Sequence, residues 1–347
     1  METACVDSLL NGAAPANRRA FLGSFALGLL LGARGACAQS TIGVPQIGLL
    51  RNEGPTNPVA RAMVDAFLAG LVEAGYENGK TVRVEARYAQ GSLDRLPAAA
   101  RELAVLPLAA IVTANPYATR AVRNATRTIP IVVALDYETD PVAAGWITSI
   151  AHPGGNLTGL FLDQPEVSAK LLQLLRECVP RLTSVAVLWD ETLAKAQFDV
   201  TAGAARAFGL SLVSLHVKRA DDLSGAFGQA AQARANGLVV LTSPLFSSAK
   251  ARSAIAELAL RHRLPGITLF TTFPAAGLLM AYGPDQNDGY RRAASQYVAQ
   301  ILKGVRAADL PIQRPDKFQL VINSKSAKAL GVTVPSSLVL QAHEVLQ

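Results

Sequence analysis

Two runs of short apolar segments, each alternating with amphipathic helical stretches, flank one glycine-punctuated stretch, residues 134–160 (ALDYETDPVAAGWITSIAHPGGNLTGL). In the first run, residues 46–50 (QIGLL) read as a buried strand, and Asn57 can cap a helix with Pro58 at its first position. Ala60, Met63, Phe67, Leu68 and Leu71 then recur at helical spacing until Gly75 stops the pattern. Val82, Val84, Ala86 and Tyr88 alternate with Arg83, Glu85 and Arg87, the period of a half-exposed strand. A helix over 93–106, a strand over 108–113, a helix over 116–126 and a strand over 129–135 complete the run.

The second run repeats this order, with residues 184–189 (SVAVLW) playing the part of 46–50. Helices are expected over 166–179, 195–208, 221–235 and 248–263. Strands are expected over 211–217, 237–242 and 266–270, and an apolar segment over 277–282. Strand–helix alternation with short connections argues for parallel sheets covered on both faces. The chain therefore reads as two α/β lobes, with 134–160 closing the first and beginning the crossing to the second. Beyond Tyr282 come an amphipathic helix over 287–302, a Pro-punctuated loop over 310–315, a strand over 318–322 and a helical piece over 326–330. These leftover segments imply that the chain recrosses between lobes.

The N-terminal segment reads as an export signal: Arg18 and Arg19, an apolar run over 21–31, then Ala36, Cys37 and Ala38. Cleavage is expected near Ala38. Lipid anchoring at Cys37 is the weaker reading, because Arg34 stands where a lipobox wants Leu or Val. Cleavage would lower Lys+Arg from 33 to 30 and Asp+Glu from 26 to 24, leaving about +6. Those charges are scattered, with no aromatic-interleaved basic stripe, so no nucleic-acid partner is expected. No membrane insertion of the mature chain is expected either. Cys178 would remain alone in an apolar helical pattern, which favours a buried, inert thiol.

Several catalytic patterns fail on inspection. The stretch Gly75–Thr81 has one residue too few between its glycines for a P-loop and follows a helix, where a P-loop follows a strand. The glycines at 154, 155 and 159 match a hinge turn better than a dinucleotide fingerprint. Ser247 and Lys250 have S-x-x-K spacing without its companion motifs. The histidines His152, His216, His262 and His343 are dispersed, so neither metal nor cofactor is expected.

Open parallel sheets bind ligands beyond the carboxyl ends of their strands. In the first lobe those positions hold Asn52 and Glu53, Thr113 and Asn115, then Asp136, Tyr137 and Asp140. In the second they hold Asp190, then Ser243 and Phe246, then Phe270 and Phe273. Hydrogen-bonding groups, carboxylates and aromatic faces together suit a small organic guest. Each Asp or Asn also has a plain reading as turn or cap chemistry.

Certain strings carry a resemblance to a family: FLAGLVEAGY (67–76), IPIV (129–132), DPVAAG (140–145) and SIAHPGGNLTG (149–159). The series continues with VAVLW (185–189), GLLMAYGP (277–284), KFQLVIN (317–323) and AKALG (327–331). In this order over nearly the whole chain, the sequence resembles the periplasmic substrate-binding proteins of ABC transporters, in the branch of tryptophan/tyrosine-type binders. The resemblance implies a type I periplasmic-binding fold: two Rossmann-like lobes with parallel sheets, joined by a three-crossing hinge. The crossings would lie near 155–162, 282–284 and 311–319. The implied division is an export signal at 1–38, an N-terminal lobe at 44–156 plus 284–312, and a C-terminal lobe at 157–283 plus 313–347. Thr113, Asn115, Asp140, Asp190 and Phe273 are then the foremost pocket candidates. Arg51, Asn52 and Glu53 depart from the small residues expected there.

The expected function is a periplasmic receptor, a monomer that closes on a small organic solute, an amino acid or small aromatic compound, and delivers it to an ABC permease. The alternative is an exported α/β hydrolase using the same cleft, with Asp136 and Asp140, or Asp190 and Glu191, as crude acid–base candidates.

Overall fold

The alternation read in the sequence becomes two stacks of strands sharing one chain path. In this computed structural model residues 43–137, 140–246 and 248–347 are described. The expected export segment, with Cys5 and Cys37, lies outside the described residues, as do Glu138, Thr139 and Ser247.

The first sheet takes β1 (Gln46–Arg51), β2 (Arg83–Tyr88), β3 (Leu108–Thr113), β4 (Ile131–Asp136) and β5 (Leu157–Phe161). Its order is β2-β1-β3-β4-β5, with every pairing parallel. Helices α1 (Pro58–Glu73), α2 (Leu96–Ala104) and α3 (Pro116–Ala125) make the crossovers. The sheet is buried on both faces: in β1, Ile47 and Leu49 enter one core while Leu50 enters the other. Asn57 caps α1 as expected, its Oδ1 accepting from the Val59 and Ala60 amides at 2.9 and 3.1 Å.

Helix α4 (Gln164–Cys178) opens the second lobe, followed by β6 (Ser184–Asp190), α5 (Lys195–Ala207), β7 (Ser211–Val217) and α6 (Leu223–Gln232). Then come β8 (Gly237–Val240), α7 (Ala249–Arg261), β9 (Gly266–Thr268) and β10 (Met280–Pro284). The chain then runs through α8 (Gln286–Arg292), a π-helical turn (Ala293–Val298) and α9 (Ala299–Leu302). It ends with β11 (Phe318–Asn323), α10 (Ser324–Leu330), α11 (Ser336–Gln341) and β12 (Glu344–Leu346). The second sheet has the order β12-β11-β10-β9-β8-β6-β7, and only β10 with β11 is antiparallel among the described pairings. Alternate residues of β6 again feed two cores, Val185, Val187 and Trp189 on one side, Ala186 and Leu188 on the other.

The chain passes between sheets after β5, at Asp285, and between Gln313 and β11. Helix α8 returns to the first lobe, packing on α1 and β4. The segment 157–161, expected in the second lobe, hydrogen-bonds to β4 as the fifth strand of the first sheet. The hinge glycine Gly159 is therefore a strand residue, at φ 131°, and a Cβ there would run into the backbone of Val133. The helix expected over 287–302 is present but contains the π turn. The expected strand over 266–270 stops at Thr268, and the helix expected from 221 begins at Leu223, behind a turn in which Asp222 accepts from the Lys218 and Arg219 amides at 3.0 Å.

Candidate functional site

In sheets of this order, the strand sequence reverses direction beside the first strand of each lobe, between β1 and β3 and between β6 and β8. Side chains beyond these strand ends meet across a cavity of about 720 Å³, lined by both lobes. That volume lies within the roughly 300–1,000 Å³ usual for small-molecule sites.

Six of the sequence candidates line it: Asn52, Glu53, Asn115, Tyr137, Phe270 and Phe273. Asn115 caps α3, accepting from the Ala118 amide at 2.8 Å, so its carboxamide oxygen is committed to the helix. Tyr137, beyond β4 of the first lobe, meets Phe270, beyond β9 of the second, edge to face at 5.4 Å and 86°. Phe273 lies 6.4 Å from Phe270, nearly parallel to it, and is almost wholly buried in the second lobe.

The other candidates stand back from the cavity wall. Thr113 is fully buried and shares a 2.8 Å hydrogen bond with Thr119. Asp136 is fully buried at the end of β4. Asp140 is exposed and caps a turn, accepting from the Val142 and Ala143 amides at 2.9 and 3.0 Å. Asp190 accepts from the Thr192 amide and hydroxyl and, at 2.7 Å, from the Ser243 hydroxyl. That bond joins the ends of β6 and β8 across the second switch point. Phe246 packs in the core beneath.

Sequence reading missed the residue at the centre of the first lobe's contribution. Arg51 lies one residue past the strand read at 46–50, yet it ends β1 with a side chain only 3% exposed. Its guanidinium donates to Glu53 at 2.9 Å and to the hydroxyl of Tyr290, whose ring centroid lies 4.9 Å from its central carbon. It also faces the Met63 sulfur at 3.4–3.5 Å, and its Nε has no partner among the described residues. Burial pulls the Arg51 pKa below its ordinary value, while Glu53 opposes that shift. Tyr290 and Asp285 were missed because they reach the site only on the chain's return through α8, and Met63 because its helical spacing marks it as core. Arg252, on α7, also lines the cavity. The charged residue ending an otherwise apolar strand, QIGLLR, was the available signal for Arg51.

Among the described residues no cluster of three or more His, Cys, Asp or Glu could hold a metal ion, and no helix is long and apolar enough to cross a membrane. Cys178 is buried, and its thiol is pushed up to about 12 by desolvation, with Glu177 adding to the shift.

Comparison with known proteins gives concordant results. The profile of the family described as ABC transporter substrate binding protein matches residues 56–346. A tyrosine-binding protein of Clostridioides difficile (strain R20291) is 25% identical over 297 residues, spanning 85% of this chain and 81% of that protein. A crystal structure of a conserved domain protein from Vibrio cholerae superposes with a TM-score of 0.77 at 25% identity, covering 87% of this chain and 100% of the other. A structure from Streptococcus pneumonia, described as an ABC domain in complex with L-Trp, gives the same TM-score at 22% identity, covering 88% and 100%. The two-lobed fold with mostly parallel sheets is that of the type I periplasmic-binding proteins.

Proposed function

The chain belongs to the family of ABC transporter substrate-binding proteins, and from that premise we propose that it is the solute receptor of an importer. It captures a small organic solute, an amino acid or small aromatic compound, between its lobes in the periplasm. It then delivers that solute, unchanged and as a monomer, to a membrane permease. The family is one of binding proteins, so the hydrolase alternative is dropped.

The observation that carries this reading is the cavity walled from both lobes, with Tyr137 of one touching Phe270 of the other. A guest held there contacts two bodies at once and favours the closed arrangement by the difference in its affinity for open and closed forms. The tyrosine and L-Trp named for two relatives support an aromatic guest, as does the aromatic lining. An affinity of about 1 μM corresponds to about −8 kcal/mol, within reach of a few desolvated hydrogen bonds and one ring contact.

Thermal melts against a library of amino acids and aromatic acids test the proposal. A guest at a hundred times its Kd should stabilise the protein by about 2.7 kcal/mol. Flat melts across the whole library would remove it.

A further inference from the structure

We infer that the guest is an organic carboxylate whose anionic end binds the guanidinium of Arg51, and that an amine on the guest is dispensable. The inference rests on the receptor reading above and narrows its ligand class.

A guanidinium buried beside a cavity is costly unless anions and hydrogen bonds surround it. Arg51 is only partly provided for. Its sole anionic partner among the described hydrogen bonds and ion pairs is Glu53, whose own side chain is 42% exposed and so shared with solvent. The remaining contacts are a phenol hydroxyl and a thioether, and the thioether is a weak acceptor. The Nε–H has no hydrogen-bond partner among the described residues. Five donors on a rigid fork thus meet one partly solvated carboxylate and soft neighbours that line the same cavity, Met63 and Tyr290. A guest's carboxylate offers two oxygens in the spacing that fork fits, and charge-assisted bonds replace N–H···S contacts. Arg252 adds a second cationic residue to the cavity wall from the other lobe.

Among the described residues an ammonium finds no uncommitted anionic side chain on the cavity wall. Among the described residues, the acidic side chains lining the cavity are Glu53 and Asp285. Glu53 is bound to Arg51, and Asp285 caps α8, accepting from the Asn287 and Asp288 amides at 2.9 and 3.2 Å. An amine seeking an anionic partner would have to compete with an ion pair or uncap a helix, which leaves it only neutral acceptors such as the Asn52 Oδ1.

The test is calorimetric titration of the full chain, dialysed free of small solutes, with phenylalanine, 3-phenylpropanoate and phenethylamine. These probes carry both groups, the carboxylate alone and the amine alone. The first two should bind within about tenfold of each other. Phenethylamine should bind at least about tenfold more weakly, the usual effect of losing a hydrogen-bonded charge. Arg51→Lys keeps the charge but loses the fork, and Arg51→Met removes both; each should abolish the preference for the carboxylates. If Arg51→Met does not fold, the lysine variant and the wild-type series still decide. Phenethylamine binding as tightly as 3-phenylpropanoate overturns the inference while leaving the receptor reading intact. If all three probes are silent but the library yields another guest, its charge decides: a carboxylate supports the inference, a neutral or purely cationic compound overturns it. Silence from probes and library together overturns both.

Discussion

Asp190 and Cys178 illustrate how single side chains divide between holding the fold and meeting a guest. The Asp190 carboxylate is buried and satisfies the Thr192 amide and hydroxyl and the Ser243 hydroxyl. Asp190→Ala leaves those donors without an acceptor, which should cost about 1–3 kcal/mol in urea unfolding. Because Asp190 stands back from the cavity, ligand affinity should change less than threefold; a large loss of affinity at unchanged stability would assign it to the site instead. For Cys178 the folded pKa of about 12 exceeds the ordinary 9.0 because burial disfavours the thiolate. A group raised in this way lends stability that is complete below pH 9 and fades as pH climbs toward about 12. Cys178→Ala should therefore flatten that alkaline decline in stability, and the native thiol should resist Ellman's reagent at pH 8 until the protein unfolds. The strand-end rule found Asn52, Glu53, Asn115, Tyr137, Phe270 and Phe273 in the cavity wall because strand ends are legible from apolar runs. It could not separate them from Asp140 and Asp190, since capping and ligand binding use the same residue types.

At the level of elements, long periodic segments were legible and short or nonlocal ones were not. Residues 58–73 carry enough helical repeats, a cap and a terminal glycine to declare themselves. Strand β5 hid behind its glycines: a turn glycine and a glycine that lets two backbones approach look identical in sequence. The π turn within residues 286–302 breaks no hydrophobic period, and α11 and β12 are too short to signal their existence. Gly159 gives the decisive check on β5. Gly159→Ala places a Cβ against the Val133 backbone at a φ that side chains rarely adopt, so overpacking and strain add. Unfolding free energy should fall by about 3 kcal/mol or more, with hydrogen exchange accelerated across β4 and β5. An undisturbed variant would mean that 157–161 is a hinge turn after all.

Two lobes become one machine through the segments that cross between them, and here charge does the stapling. Arg314, on the third crossing, donates to the carbonyls of Phe161 and Leu162 on the first, at 3.0 and 2.9 Å. Lys317 reaches Asp288, just past the second crossing, at 2.6 Å, and Arg292 of α8 pairs with Asp316 at 3.0 Å. These bonds tie the crossings to one another but not the lobes across the cleft. On the proposed receptor reading they hold the hinge, and contacts at the mouth set the angle of opening. The Tyr137–Phe270 contact is of that second kind, since its partners extend from opposite sheets and Tyr137 packs against a core of each lobe. An aromatic pair contributes about 0.5–1.5 kcal/mol beyond its buried area, enough to shift a two-state equilibrium several-fold. Tyr137→Ala should therefore enlarge the radius of gyration of the unliganded protein in small-angle scattering. Saturating guest should restore the compact value at a roughly threefold to tenfold higher concentration. Arg314→Ala, by contrast, should lower the melting temperature and leave the unliganded radius unchanged. If the two variants exchanged these effects, the crossings would set the opening angle and the aromatic pair would serve only stability.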